Sequence, residues 1–388
     1  MKTVLYFLAT SIVMMAIVVT ASCKREGVDD VLKSEPKPMT LILKNPGAIV
    51  IEMTGSDSVF IDWGDNSAID KHLFSTGYME FGHQYSGVST CSVTITGIDI
   101  VGLVCAKIQL TGLDVSKNTR LVSLFCNHNL LTAVDVSKNT ILESFSCNHN
   151  LLKSLDVISN TKLTTLWCHE NLLESLDVQK NTALTKLQCN HNKLTTLDVK
   201  KNLLLRELYC GANLLTDLDL NSNVSLRELD CSQNRLDKLD VTNHKELSTL
   251  YCSENRFADL NLNNNVLLRE LDCSRNRLDR LDMTKHQVLS ALNCGNNQLP
   301  DLNLSNNVLL RDLDCSRNRL DKLDMTNNTA LSELDCAVNQ LDVDALNSLF
   351  LTLHNQTILR EKNIYISGNP GRSSCNAKLA EARGWQVN

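Results

Sequence analysis

The sequence predicts an α/β-type solenoid dominated by short parallel strands, because one spacing of 21 residues is kept through most of the chain without an insertion. Leucines recur at this interval from Leu121 and Leu142 onward to Leu331. A cysteine recurs with them in twelve turns, at Cys105, Cys126, Cys147, Cys168, Cys189, Cys210, Cys231, Cys252, Cys273, Cys294, Cys315 and Cys336. A fixed period of this length marks a stacked repeat, in which one unit is too small to fold alone and neighbouring units share a core. We therefore expect twelve turns over residues 98–341.

Each unit of the repeat combines a short strand with two corners. Leu124 and Cys126 lie two residues apart, so both point to the same face of a strand, which is the inside of the coil. From Leu121 onward the unit reads L-x-x-L-x-C-x-x-N-x-L. This pattern resembles the leucine-rich-repeat signature with cysteine in place of its third leucine, and its length resembles that of internalin-like bacterial surface proteins. The resemblance implies a binding scaffold that acts through its concave sheet.

Two ladders of asparagine mark the corners of the predicted coil. Asn129 recurs in every turn to Asn339, and we expect its inward amide to bond the free backbone groups of its own turn and the next. A second ladder runs through six turns before it changes to histidine in alternate turns: Asn118, Asn139, Asn160, Asn181, Asn202, Asn223, then His244 and His286. The chain beyond Asn223 therefore has a double period of 42 residues.

The N-terminal residues read as a targeting segment. Residues 1–22 contain Lys2, an apolar run from Val4 to Val19, and then small residues that end at Cys23, which is typical of a secretory signal. The ending Thr-Ala-Ser-Cys resembles a bacterial lipobox, which implies cleavage before Cys23 and lipidation of its thiol. A plain signal peptide is the alternative. The polar residues 23–38 predict a tether, and their charged stretch resembles that of Bacteroidetes-type lipoproteins on the outer face of the outer membrane.

The segments on either side of the repeat predict two smaller units. Residues 39–97 hold β-rich runs separated by turn residues. Within them, Trp63-Gly64-Asp65 followed by His83-Gln84-Tyr85 resembles the polycystic-kidney-disease type of β-sandwich, in which these motifs belong to the framework. Residues 342–388 predict an α+β cap with a helix around Leu346, a strand at 363–367, a short helix at 377–383 and a last strand at Trp385.

Cysteine use in this chain argues against disulfides, although the chain has fifteen cysteines and an export signal. Equivalent residues on neighbouring parallel strands lie ~4.8 Å apart, which exceeds the ~3.5–4.5 Å between Cβ atoms of a bridge. A row of thiols also cannot form the tetrahedron that zinc requires. We therefore expect free, buried thiols in the ladder and neither metal nor cofactor on it.

No residue constellation predicts catalysis. The chain lacks a phosphate loop and a His-Glu-x-x-His motif, and its abundant Ser and Asp fall at repeat positions. His128, His149 and His191 share one repeat position near Glu170, but two imidazoles without a carboxylate on the same turns make an incomplete metal site, so we favour solvated side chains. The net charge of −6 disfavours a nucleic-acid partner. The sequence therefore predicts a protein that is not an enzyme.

The outward residue between the core Leu and Cys of each strand provides the predicted ligand-binding surface. The members with functional interest are Phe125, Trp167, Tyr209, Tyr251, Asp272, Asp314 and Asp335. Rows of exposed aromatic residues are typical of partner surfaces. We expect recognition or adhesion of an extracellular protein, from a host or another bacterial surface, with glycan capture and a structural envelope spacer as alternatives. Four acids on the last two turns, Asp312, Asp314, Glu333 and Asp335, are either a tolerated patch or a site for calcium or a basic segment.

Overall fold

The computed structural model describes residues 37–356 and 361–388. The predicted signal segment, Cys23 and almost all of the predicted tether lie outside the described residues, so the lipid anchor stays a prediction. Within the described part of the chain, no helix is long and apolar enough to cross a membrane.

An antiparallel sheet forms the N-terminal part. Its strands are β1 (Lys37–Lys44), β2 (Ala48–Asp62), β3 (Asp70–Leu73), β4 (Met79–Gln84) and β5 (Thr90–Val104). The long β5 lies between β1 and β2, and β2 also pairs with β3 and β4. Alternate residues of β1 and β2 are buried, as expected of strands with one face in a core. The β-sandwich family suggested by the sequence remains a prediction.

Strand β5 joins this sheet to the solenoid. Its first half pairs with β1, whereas its last residues pair in parallel with β7 (Ser123–Phe125). The predicted boundary at residues 97/98 therefore falls inside one continuous strand. Strand β6 (Leu110–Asp114), on the opposite side of the first turn, pairs with β1 as well. The fully buried Met39, Leu41 and Leu43 of β1 lie in the same hydrophobic cluster as the first turns, so the N-terminal sheet closes that end of the core.

The solenoid consists of three-residue strands at 21-residue intervals. After β7 they are β8 (Ser144–Ser146), β9 (Thr165–Trp167), β10 (Lys186–Gln188), β11 (Glu207–Tyr209), β12 (Glu228–Asp230), β13 (Thr249–Tyr251), β14 (Glu270–Asp272), β15 (Ala291–Asn293), β16 (Asp312–Asp314) and β17 (Glu333–Asp335). Each pairs in parallel and in register with the next, so residues 21 apart are neighbours. The middle residue of each strand is buried. This arrangement confirms the predicted leucine-rich-repeat solenoid.

The cysteine ladder lies inside the coil, as the sequence predicts. All twelve ladder cysteines are fully buried, and every described cysteine is a free thiol. Cys91 is also buried, whereas Cys375 in the C-terminal part is partly exposed. A small apolar side chain at this position lets successive turns stack closely around the larger leucines.

The first asparagine ladder bonds the backbone of two turns. Asn171 Nδ2 donates to the carbonyls of Cys147 at 3.0 Å and Cys168 at 3.1 Å, and its Oδ1 accepts from the Leu152 N–H at 3.0 Å. Each asparagine therefore bonds its own turn and the preceding turn, whereas the sequence predicts bonds to its own turn and the next one. In the second ladder Asn181 Nδ2 also donates to a carbonyl 24 residues earlier, and His244 contacts the equivalent carbonyl through Nε2. Histidine therefore substitutes for the amide in its main contact.

The C-terminal cap agrees with its predicted elements. It comprises α1 (Val343–Thr352), β18 (Lys362–Tyr365), α2 (Lys378–Glu381) and β19 (Trp385–Val387). The Asp342 side chain caps α1 by accepting from the Ala345 N–H at 2.8 Å. Strand β18 pairs in parallel with β17, and β19 with β18, so the sheet continues into the cap.

Candidate binding surface on the concave sheet

Each short strand places two side chains on the open face of the sheet. We name the third residues of the strands the aromatic–acidic row; they are Phe125, Ser146, Trp167, Gln188, Tyr209, Asp230, Tyr251, Asp272, Asn293, Asp314 and Asp335. We name the first residues the companion row; they are Ser123, Ser144, Thr165, Lys186, Glu207, Glu228, Thr249, Glu270, Ala291, Asp312 and Glu333. Because the register is parallel, successive members of either row lie on adjacent strands, ~4.8 Å apart.

The aromatic members of this surface are partly buried, which corrects the expectation that the solenoid leaves them unburied. Phe125, Trp167, Tyr209 and Tyr251 all have intermediate exposure, and Ser146 between the first two is fully buried. Side chains on strands only ~4.8 Å apart cover one another even on the open face. Each ring therefore presents part of its surface to solvent and is held by its neighbours over the rest.

Two tyrosines are fixed by glutamates of the companion row. The Tyr209 hydroxyl donates to Glu228, and the Tyr251 hydroxyl donates to Glu270 Oε2 at 2.5 Å. In both cases the glutamate lies on the next strand. Burial, with a further contribution from the bond to Glu228, raises the pKa of Tyr209, so this phenol stays protonated as the donor. The rings are therefore held in one orientation before any partner arrives.

Trp167 has the largest ring of the aromatic–acidic row, and its indole N–H donates no hydrogen bond within the described residues. Its indole Nε1 is buried and has no hydrogen-bond partner among the described residues, and the same is true of His169 Nδ1 on the next outward position. An unpaired buried polar atom costs ~1–3 kcal/mol. Both atoms are enclosed by neighbouring side chains, so only the exposed part of the Trp167 ring is open to a ligand.

The aspartates of the row are shaped by local hydrogen bonds. Oδ1 of Asp230, Asp272 and Asp314 accepts from both the N–H and the hydroxyl of the serine two residues later, at distances of 2.5–3.0 Å. Asp335 accepts from the N–H of Ala337 at 2.9 Å. Burial raises the pKa of Asp230, Asp272 and Asp335 despite these bonds. The carboxylates are thus ordered and incompletely solvated.

The C-terminal half of the face is acidic. Among the described strands β11 to β17, neither row contains Lys or Arg, and nine members are acids: Glu207, Glu228, Asp230, Glu270, Asp272, Asp312, Asp314, Glu333 and Asp335. Asp312 is the register partner of Glu333, and Asp314 that of Asp335, as predicted. Within the residues that the structure covers, no group of three or more His, Cys, Asp or Glu could hold a metal ion. The calcium interpretation of the last two turns therefore gains no geometric support.

The histidines near the N-terminal end of the coil form a stacked cluster. The His128 and His149 rings stack with centroids 3.9 Å apart, and His149 Nδ1 lies 2.7 Å from Glu170 Oε2. Burial first, and then the neighbouring imidazoles, lower the pKa of His169 to about 4. His128, Glu170 and His191 occupy a corner position with positive φ in every turn. The geometry is that of packed rings beside a carboxylate.

The motif residues of the N-terminal sheet form a structural network. Trp63 stacks on His83 with centroids 4.8 Å apart, and the Tyr85 hydroxyl donates to the Trp63 carbonyl at 2.8 Å. His83 Nε2 lies 2.7 Å from Asp65 Oδ2. Hydrogen bonds from Ser67, then from His83, lower the pKa of Asp65 to about 2. These bonds hold a turn together, in keeping with the framework role preferred for these residues from sequence.

Tyr365 is a member of the surface that the sequence did not reveal. It lies on β18 as the register partner of Asp335, so the aromatic–acidic row ends with a third tyrosine. Burial and the nearby Glu333 raise its pKa. The segment around Tyr365 was predicted as a strand, but the cap helix lengthens the spacing beyond 21 residues. Tyr365 can be identified from the sequence if the strand around it is counted as one further turn of the coil.

Comparison with known proteins defines the class of this chain. No family model and no curated protein matches it. Among solved structures it is similar to the functional domain of InlJ from Listeria monocytogenes, described as including a cysteine ladder, with 32% identity and a TM-score of 0.65 over 72% of this chain and 66% of that one. The chain thus spans slightly less than two thirds of that domain. The chain is a leucine-rich-repeat protein by fold.

Two further solved structures are similar to this chain at lower sequence identity. The internalin InlF from Listeria monocytogenes is 23% identical, with a TM-score of 0.56 over 64% of this chain and 84% of that one. The ectodomain of the receptor kinase GASSHO1/SCHENGEN3 from Arabidopsis thaliana, solved in complex with CASPARIAN STRIP INTEGRITY FACTOR 2, is 21% identical, with a TM-score of 0.53 over 65% of this chain and 39% of that one. Both likenesses show the leucine-rich-repeat fold.

Proposed function

We propose that this protein is a non-catalytic binding protein of a bacterial cell surface and that its concave sheet grips another protein. The observation that carries the proposal is the aromatic–acidic row. Trp167, Tyr209 and Tyr251 stand on every second strand of a continuous face, each partly open to solvent. Aromatic residues of this kind dominate the energetics of protein interfaces.

The fixed orientation of the rings supports this assignment. Immobilising a flexible side chain on binding costs ~0.5–1.5 kcal/mol, and a side chain that is already held avoids part of that cost. Tyr209 and Tyr251 are held by Glu228 and Glu270 in the free protein. A continuous sheet with pre-oriented rings suits recognition of a partner that lies along several turns.

The direct test replaces single rings. We expect Trp167→Ala and Tyr209→Ala each to weaken binding of a protein partner, first isolated from extracellular fluid with the wild-type chain as bait, by ~1–3 kcal/mol. Because these side chains lie outside the closed core, the melting temperature should change little. Leu203→Ala is the matched control, since this side chain is 55% exposed and lies outside the strands. A fall in stability with unchanged affinity would mean that the rings serve the sheet and not a partner.

Glycan capture is the second candidate, and the partly exposed rings of Phe125 and Trp167, which stand on alternate strands, favour it. Sugars have an apolar face that stacks on aromatic rings and hydroxyls that bond to polar groups beside them. A glycan array probed with the wild-type chain and Trp167→Ala separates the two candidates. Saccharide binding that depends on Trp167 and Phe125, with no protein partner, would replace the protein-binding proposal. A chain that binds neither class would be a structural spacer of the envelope.

The surface location is part of the same proposal and rests on Cys23 and the small residues before it. We propose an outer-membrane lipoprotein that faces the cell exterior. Cys23→Ala should abolish labelling by a radioactive fatty acid and release the chain from the membrane fraction. Cys375→Ala, which removes a thiol in the C-terminal cap, is the control. Continued fractionation of the Cys23 variant with the outer membrane would refute the lipid anchor.

A further inference from the structure

Rings and carboxylates alternate strand by strand from β11 to β14 of the concave face. Tyr209 is the register partner of Asp230, Asp230 of Tyr251, and Tyr251 of Asp272. In the companion row, Glu228 and Glu270 accept from the two tyrosines. Tyr251 therefore lies between two aspartates and next to a glutamate. The face of an aromatic ring and an adjacent carboxylate both attract cations.

Neither row of the described strands places a basic residue next to Asp230 or Asp272. The nearest basic residue of the two rows, Lys186, lies on β10 and already pairs with Glu207 at 2.7 Å. Further along, Arg317 lies outside the strands and lowers the pKa of Asp335, but burial, the largest influence, raises the pKa of that carboxyl group. The described strands beyond β11 thus present acids and rings without a basic residue in either row. A cationic ligand therefore meets no like charge from either row in this region, and the arginines beside it, Arg206 and Arg227, lie outside the two rows.

The aspartates of this region also recur at a regular spacing. Asp230, Asp272 and Asp314 lie on every second strand, and each is fixed by the serine two residues later. Two strand separations amount to ~9.6 Å. A peptide in the extended polyproline II conformation has three residues per turn and advances ~3.1 Å per residue, so every third residue recurs on the same side at ~9.3 Å. The spacing of the carboxylates therefore matches that of such a chain running across successive strands.

We propose that the acidic half of the concave face binds an extended, cationic protein segment in which Lys or Arg recurs at about every third residue. The ammonium or guanidinium groups lie between the rings of Tyr209 and Tyr251 and the flanking aspartates. The inference rests on the proposed function, because it names the kind of protein partner that the concave face takes. Charge complementarity selects this occupant over a second copy of the chain, whose own concave face is equally acidic.

The test uses a defined peptide and the full chain in a neutral detergent. The peptide carries Lys at every third position with Ser and Gly between, and its binding is measured by calorimetry at low and at moderate salt. We expect saturable binding that weakens as salt rises. A peptide of identical composition with its lysines contiguous should bind about tenfold less tightly, because only some of them reach carboxylates. Equal affinity for the two peptides would overturn the proposed spacing.

Charge-matched variants separate a site from a general effect of net charge. Asp230→Asn with Asp272→Asn should weaken binding of the spaced peptide about tenfold or more. Asp301→Asn with Asp321→Asn makes the same change in net charge at exposed residues outside the strands and should leave affinity unchanged. Tyr251→Phe should retain more affinity than Tyr251→Ala, because the ring and not the hydroxyl faces the cation. Equal losses in the two aspartate pairs would overturn the site.

The outcome is distinguishable from failure of the proposed function. If a natural protein partner depends on Trp167 but the spaced peptide does not bind, the concave face binds proteins and the cationic-segment inference is wrong. If an uncharged oligosaccharide binds and depends on Tyr251, the occupant is a glycan and both proposals fall. The inference stands only if binding depends on the aspartate pair, on the tyrosine ring and on the spacing of the lysines.

Discussion

Asn213→Ala is expected to destabilise the solenoid by ~3–5 kcal/mol, which is a large effect for a polar residue. The Asn213 side chain accepts from the Leu194 N–H at 3.0 Å and donates to the carbonyls of Cys189 and Cys210, each at 3.1 Å. All of these groups are buried, so alanine leaves them without partners and without water. The change is measured as the shift in the urea unfolding midpoint followed by circular dichroism.

The second asparagine ladder provides matched controls in the same turns of the coil. Asn202 donates to the carbonyls of Val178 and Asn181, but its Oδ1 has no partner among the described residues. Asn202→Ala should therefore cost less, ~1–3 kcal/mol. Asn202→His should be milder still, because His244 makes the equivalent contact in this chain. If Asn213→Ala proved no more harmful than Asn202→Ala, the first ladder would not have the structural role assigned to it.

The ladder thiols should react with a thiol reagent at least a thousandfold more slowly in the folded chain than in urea. Burial raises the pKa of Cys126 and of Cys168 from 9.0 to about 12. A pKa of about 12 in place of 9.0 lowers the thiolate fraction near neutral pH by about a thousandfold, and the thiolate is the reactive form. Exclusion of the reagent from a packed core adds to this protection. The measurement is the time course of labelling without a reductant.

Two internal standards make the thiol experiment decisive. Cys375 is only partly buried and should react first in the folded chain. After denaturation without a reductant, all described cysteines should react, because each is a free thiol in the structure. Recovery of only a few thiols from the denatured chain would show that neighbouring turns are bridged. Rapid labelling of the whole ladder before denaturation would show that the coil opens far more readily than its packing implies.

The repeat could be predicted from the sequence because its period imposes a geometry. Once residues 21 apart are neighbours, Leu124, Cys126 and Asn129 each define a ladder, and the structure confirms all three as buried. The cap helix and the cap strands could also be predicted from the sequence, because the change from the 21-residue period to helical spacing is abrupt. These features depend on local pattern and on stacking, both of which a sequence records directly.

The details of the surface could not be predicted because they depend on contacts between turns. Tyr209 and Glu228 are 19 residues apart and meet only because the strands are in register. The partial burial of Trp167 likewise depends on how closely neighbouring side chains approach on the open face. The continuation of β5 into the solenoid is likewise defined by pairing, since its last residues join the coil only through their parallel contact with β7.

Photo-crosslinking from positions on and off the sheet tests most directly the claim that the concave face holds the partner. A photoreactive phenylalanine analogue is placed at Trp167, Tyr209 or Tyr251, and in parallel at Leu203 or Val266, which are exposed outside the strands. After irradiation with the isolated partner, we expect covalent adducts from the three concave positions and only background from the other two. Adducts from Leu203 and Val266 with none from the concave positions would contradict the account.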